Sequence, residues 1–136
     1  MPILPLLLLE NVSWSFAEPT PLSPEALRSA AQAYAAEVGV PDPSAQLARQ
    51  LPFSDVRLRY SYGLRGESGE WVDKTSELRV VAPPAASLTG TALLWELHVA
   101  CQSTVGENDH HFFEGLELVS PAEAGDPATY EVLLGS

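Results

Sequence analysis

The stretch from Asp55 to Val81 constrains this chain more than any other. Val56, Leu58, Tyr60, Tyr62 and Leu64 alternate with Arg57, Arg59, Ser61 and Gly63. That is the two-residue period of a strand with one dry face and one wet face. Arg65-Gly66-Glu67-Ser68-Gly69 reads as a turn, after which Trp71 to Val81 returns. Opposing Val56 to Val80 also sets Leu58 against Leu78 and Leu64 against Val72, so one register satisfies the whole apolar face. On the other face Arg59 meets Glu77, a favourable pair, and Arg57 meets Arg79, which demands an acid nearby. A long antiparallel hairpin is therefore expected.

The clearest helix lies upstream. Ser23 is a good N-cap and Pro24 suits the first helical position, where its missing N–H is no loss. Leu27, Ala30, Ala31, Tyr34 and Val38 follow at helical spacing, and Gly39 and Pro41 supply the stop. A shorter helical turn is expected around 44–50. Leu6, Leu8, Val12, Trp14 and Phe16 share one parity, which suggests a first strand disturbed near Asn11. A second hairpin is expected from Leu93, Trp95, Leu97, Val99 and Cys101, turning at Gly106-Glu107. It would set Trp95 against Leu118, Leu97 against Leu116 and Cys101 against Phe112. A last strand, Thr129 to Leu134, carries Tyr130, Val132 and Leu134 on one side. The expected fold is a single α+β domain over 1–136. One amphipathic helix, about 23–39, packs on or is wrapped by a curved, mainly antiparallel sheet of five to six strands.

Composition narrows the setting. With 46% hydrophobic residues the chain can bury a core, and its single cysteine excludes an intrachain disulfide and suits a reducing compartment. The apolar run from Ile3 to Leu9 is too short to span a bilayer and lacks a basic leading region. A cytoplasmic protein without membrane association is expected. Eighteen acidic residues against seven basic ones leave a net charge of −11, which argues against binding along nucleic-acid backbones.

Few residues form a pattern that carries chemistry. In the second hairpin Glu114 would point inward opposite Val99, where a buried carboxylate has a raised pKa and can act as a general acid or base. Gly115 offers the alternative: a bulge there turns Glu114 out and swings Phe113 inward in place of Phe112. His98, Cys101, His110 and His111 are zinc-type ligands, but His98 and Cys101 have opposite strand parity. Only His110 and His111, with Asp109 and Glu107 on a hairpin tip, remain as weak metal candidates. Cys101 shares its parity with Trp95 and Leu97 and reads as a small buried hydrophobe rather than a nucleophile. No nucleophile elbow and no glycine-rich phosphate loop occurs, so no cofactor is expected. Pro2 invites comparison with an amino-terminal catalytic proline, which the preceding Met1 argues against.

Charge distribution is the remaining signal. Residues 83–136 hold eight acids and no Lys or Arg. The expected register sets Glu96 directly against Glu117, a repulsive pair that a binding surface could retain for steering. The leading expectation is a non-enzymatic acidic interaction module, of the inhibitor or immunity type, docking on a basic protein. Its face would comprise Glu96, Glu107, Asp109, Glu117 and an outward Phe113. Two rivals stand beside it. One is a small-ligand protein or enzyme with Tyr60, Tyr62, Trp95 and Leu97 lining a pocket and Glu114 as acid/base. The other is a homodimer formed through the last strand as a free edge.

Overall fold

The computed structural model describes residues 4–83 and 86–135. The Pro2 reading and part of the loop at Pro84 lie outside them. Two short strands, β1 (Leu7–Leu8) and β2 (Trp14–Ser15), precede two helices, α1 (Pro24–Val38) and α2 (Ser44–Ala48). The hairpin β3 (Asp55–Arg65) and β4 (Trp71–Val81) leads to a third helix, α3 (Gly90–Cys101). A 3-10 turn at Val105–Glu107 precedes β5 (Phe112–Ser120) and β6 (Ala128–Gly135). The result is an α+β fold with an open, mixed, six-stranded sheet in the order β1-β5-β6-β3-β4, β2 also pairing with β5. No helix among the described residues is long and apolar enough to cross a membrane.

The first hairpin has the expected register throughout, from Asp55 opposite Val81 to Arg65 opposite Trp71. The acid required by the Arg57–Arg79 opposition is Asp55, whose carboxylate takes hydrogen bonds from Arg79 Nε at 3.0 Å and Nη2 at 2.6 Å. Helix α1 begins on the Ser23 cap, whose hydroxyl accepts from Ala26 N–H at 3.1 Å, and ends on Gly39 in the left-handed conformation. Leu27, Ala31 and Ala35 form its buried stripe.

The first strand is split in two. Leu9 has φ 52° and its carbonyl accepts from Val12 N–H, a turn that lifts the chain off β5 between Leu8 and Trp14. On the facing strand β5 bulges between Phe113 and Gly115. Gly115 has φ 123°, and a Cβ there would stand 3.2 Å from Glu10 Cα. The turn and the bulge therefore sit against each other.

The segment expected as the second hairpin's first strand is instead helix α3, and its proposed pairings with β5 do not exist. Thr89 caps it, with Oγ1 accepting from Ala92 N–H at 3.1 Å. Gly90, Thr91, Leu93, Leu94, Leu97, His98 and Cys101 form its buried side, and Ala92, Trp95, Val99 and Ala100 on the solvent side are apolar too, beside the exposed Glu96. A helix in that position loses the period that distinguishes it from a strand. The place predicted for it beside β5 is taken by β6, and β6 in turn runs parallel to β3 from Val56 opposite Ala128 to Arg59 opposite Glu131. The last strand is thus central, and the edge on which a homodimer was expected is already paired.

All three helices contribute to one core with the inward residues of the sheet. Leu27, Leu47, Leu93, Leu94 and Leu97 pack with Val56, Leu58, Phe113, Leu116, Tyr130 and Trp14. The opposite face of the sheet carries the polar half of each alternation.

Candidate interaction surface

On that polar face the register builds a row across four strands. Glu117 on β5 lies opposite Glu131 on β6, which lies opposite Arg59 on β3, which lies opposite Glu77 on β4. Arg59 Nη2 reaches Glu131 Oε2 at 3.2 Å, and Arg57 sits 3.9 Å from both Glu77 and Asp126. Every Lys and Arg on the sheet belongs to β3 or β4. The β3–β4 side is therefore nearly balanced, with Asp55 held below the usual carboxylate range by its hydrogen bonds from Arg79. The β5–β6 side has no cation of its own.

The bulge adds to this imbalance. It turns Glu114 out to solvent while Phe113 and Leu116 stay buried. The Glu114 carboxylate lies over Gly135, where an added Cβ would come within 2.5 to 2.7 Å of it. Gly135 follows Glu131 and Leu133 in outward alternation, so Glu114, Glu117 and Glu131 share the solvent side of β5 and β6. Glu10, exposed in the turn against Gly115, borders the same group.

The residues expected to form the acidic face do not gather. Glu117 belongs to the row just described, whereas Glu96 is exposed on α3, whose helix packs on the sheet's other side. The Glu96–Glu117 opposition fails because α3 is not a strand; Glu117 has a like-charge neighbour, but it is Glu131. Glu107 and Asp109 are exposed in the loop that crosses beside β3. There Asn108 uses its amide to accept from Gly63 N–H at 2.6 Å and to donate to Gly63 C=O at 3.2 Å. Phe113 is 2% exposed and packs edge-on against Phe16, so it anchors the core and offers nothing to a partner. The bulge is the reason, because it reverses the parity on which the outward assignment rested.

The other candidates resolve in the same way. Glu114 is exposed rather than enclosed, which removes the environment an acid/base carboxylate would need. Tyr60 and Leu97 are buried in the core and Trp95 donates to the Pro21 carbonyl, so the proposed pocket lining is packed. A cleft of about 500 Å³ lies elsewhere, between the N-terminal leucines Leu4 and Leu7 to Leu9 and the segment Gln46 to Pro52. His98 and Cys101, one helical turn apart on α3, are both buried; burial pushes the Cys101 thiol up to about 12. His110 is exposed, and His111 Nδ1–H donates to the Asn108 carbonyl. Among the described residues no three His, Cys, Asp or Glu side chains converge to hold a metal.

Sequence reasoning missed Glu131 as a site residue. Its signal was present in the alternation of Thr129, Glu131 and Leu133 against Tyr130, Val132 and Leu134, but its neighbours could not be assigned without the strand order. No family model, curated protein or solved structure matches this chain.

Proposed function

We propose that this chain is a non-enzymatic, acidic interaction module that docks on a basic protein surface through the solvent face of β5 and β6. The observation that carries this reading is Glu117 set directly against Glu131, with Glu114 beside them and Arg59 the one cation in contact among the described residues. Opposed like charges cost stability in a sheet. A partner supplying Lys or Arg side chains relieves that repulsion on binding, so the same residues that weaken the free fold strengthen the complex. The net charge of −11 extends the attraction beyond contact and accelerates encounter. We place this encounter in the cytoplasm, where a chain whose single thiol is buried needs no oxidising compartment.

The test is affinity purification of the tagged protein from its own host at low and high salt, with the Glu114→Gln/Glu117→Gln double variant alongside. Both substitutions fall on exposed side chains and leave the fold intact. The expected result is a stoichiometric basic protein that is retained at low salt, released at high salt and absent with the variant. A partner retained equally by the variant, or one indifferent to salt, would sink this reading.

A further inference from the structure

We propose that a second copy of this chain pairs antiparallel along the free edge of β4, in the register that centres Ser76 on Ser76. This goes beyond the acidic surface, because β4 lies at the opposite end of the sheet from β1 and β5.

The hydrogen bonds of the hairpin decide which groups are free. Ala82 N–H donates to the Ser54 carbonyl and Gly66 N–H donates to the Glu70 carbonyl. Antiparallel pairs alternate between bonded and non-bonded, so the even-numbered residues of β3 and β4 bond to each other. Gly63 fits this alternation, since its N–H and C=O point away from β4 and are taken by Asn108. On β4 the odd-numbered residues Trp71, Asp73, Thr75, Glu77, Arg79 and Val81 therefore direct their backbone groups outward. Among the described residues no strand pairs with them. Eleven residues of unpaired edge span roughly 36 Å at strand rise, an open template for another strand.

Only registers that oppose odd residues to odd residues can form this ladder, and they differ sharply in what they juxtapose. Centring on Thr75 sets Asp73 against Glu77, and centring on Glu77 sets two glutamates together. Centring on Leu78 makes a Glu77–Arg79 match but leaves Trp71 to Asp73 without partners. Centring on Ser76 aligns all eleven residues of both strands. Asp73 then meets Arg79 of the second copy, twice by symmetry, and Thr75 meets Glu77. Arg79 holds Asp55 through Nε and Nη2, and neither bond uses Nη1. The same register sets Trp71 against Val81 and Val72 against Val80. Trp71 and Val81, at 62% and 59% exposure, are among the most exposed large hydrophobic residues of the fold. Backbone alternation, charge and apolar exposure thus select one pairing. The two copies would form a continuous twelve-stranded sheet with their helices on one side.

Sedimentation equilibrium on the full chain tests this, with three variants. The wild type should approach twice its 14.6 kDa mass by ~100 µM, a range in which even modest affinities populate a complex. Thr75→Pro removes an outward N–H and no backbone bond to β3, giving up only the exposed hydroxyl contact with Ser61 at 3.2 Å, so it should stay folded by circular dichroism and sediment as a monomer. Asp73→Arg and Arg79→Asp should each be monomeric alone, and an equimolar mixture should restore the dimer. A wild type that remains monomeric would overturn the proposal, as would a dimer that survives Thr75→Pro. If Thr75→Pro does not fold, the charge-swapped mixture decides: heterodimers support the register and two monomers refute it. None of these residues belongs to the β5–β6 face, so loss of the dimer and loss of the basic partner are separately readable.

Discussion

His98 concentrates more physical chemistry than any other residue of the core. It is fully buried, and its Nδ1 accepts a hydrogen bond from Trp14 Nε1–H at 3.0 Å. An indole can only donate, so the imidazole proton must sit on Nε2. That N–H is buried and makes no hydrogen bond among the described residues, with Trp14 and Phe16 packed around the ring. Burial pushes the His98 pKa below its usual 6.5 and outweighs the nearby Glu18 carbonyl, which lies outside hydrogen-bond geometry. The consequence has a definite sign. Above the unfolded value of about 6.5 both states hold the residue neutral, and the titration contributes nothing to stability. Below it the unfolded chain takes up a proton that the folded chain refuses. Stability should then fall with pH by up to about 1.4 kcal/mol per unit, until the folded His98 itself protonates and breaks the bond to Trp14. Urea unfolding at pH 7.0, 6.0 and 5.0 measures this slope. His98→Leu should be less stable than the wild type at pH 7.0, because Trp14 Nε1–H loses its acceptor, yet flatter between pH 7.0 and 5.0. An unchanged slope in the variant would assign the acid sensitivity to another group.

At the scale of elements, the close crossing of α2 and α3 depends on the absence of a side chain. A Cβ on Gly90 would meet the Gln46 carbonyl oxygen at 2.6 Å and Leu47 Cα at 3.1 Å, both backbone atoms that cannot rotate away. Thr91 Oγ1 fastens the same crossing by donating to the Leu47 carbonyl at 2.8 Å. Gly90→Ala should therefore separate the two helices and destabilise the fold by about 1–3 kcal/mol, the range for overpacking a fitted core. In an exposed helix the same change would stabilise. A denaturation midpoint equal to or above the wild type would show that the crossing relaxes freely. Legibility in the sequence also varied by element. Helix α1 announced itself through Ser23, Pro24 and Gly39, and the β3–β4 hairpin through strict alternation, because each has one wet and one dry side. Helix α3 carries apolar residues on its solvent side as well, Trp95 and Val99 among them, so Leu93, Trp95, Leu97, Val99 and Cys101 imitate a strand by parity alone. Its readable signals were the Thr89 cap and an apolar run longer than most strands. The bulge at Gly115 was legible from a glycine inside a strand beside a misplaced glutamate. The neighbours of β5 and β6 were not, because strand order is set by how the helices cover the sheet, and α3 imitates one of its strands.

At the scale of the whole molecule, charge is distributed in a way that opposes the fold's own stability. The cations of the sheet lie on β3 and β4, while Glu114, Glu117 and Glu131 share β5 and β6 with none. If β5 and β6 form the proposed docking surface, this division makes stability and recognition respond to the same change with opposite signs. Glu117→Lys places a cation against Glu131 and should raise the unfolding free energy by about 0.2–1 kcal/mol, the usual worth of a cross-strand pair. It should also weaken capture of a basic partner, since the attraction at the centre of the surface becomes repulsion. Salt separates the two effects further. Raising sodium chloride from low to high concentration screens the Glu117–Glu131 repulsion, so the wild type should gain stability while its association slows. The Glu117→Lys variant has exchanged that repulsion for attraction and should gain less. Thermal unfolding of both proteins across a salt series reads the first effect, and binding kinetics read the second. A variant that is destabilised at every salt concentration would mean that Glu117 and Glu131 are held apart by solvent and that the row across the sheet is not an electrostatic unit. A variant that is stabilised yet still captures the partner at the wild-type rate would move the docking surface away from β5 and β6. Stabilisation with slowed capture is the outcome expected of a surface whose repulsion is kept for a partner.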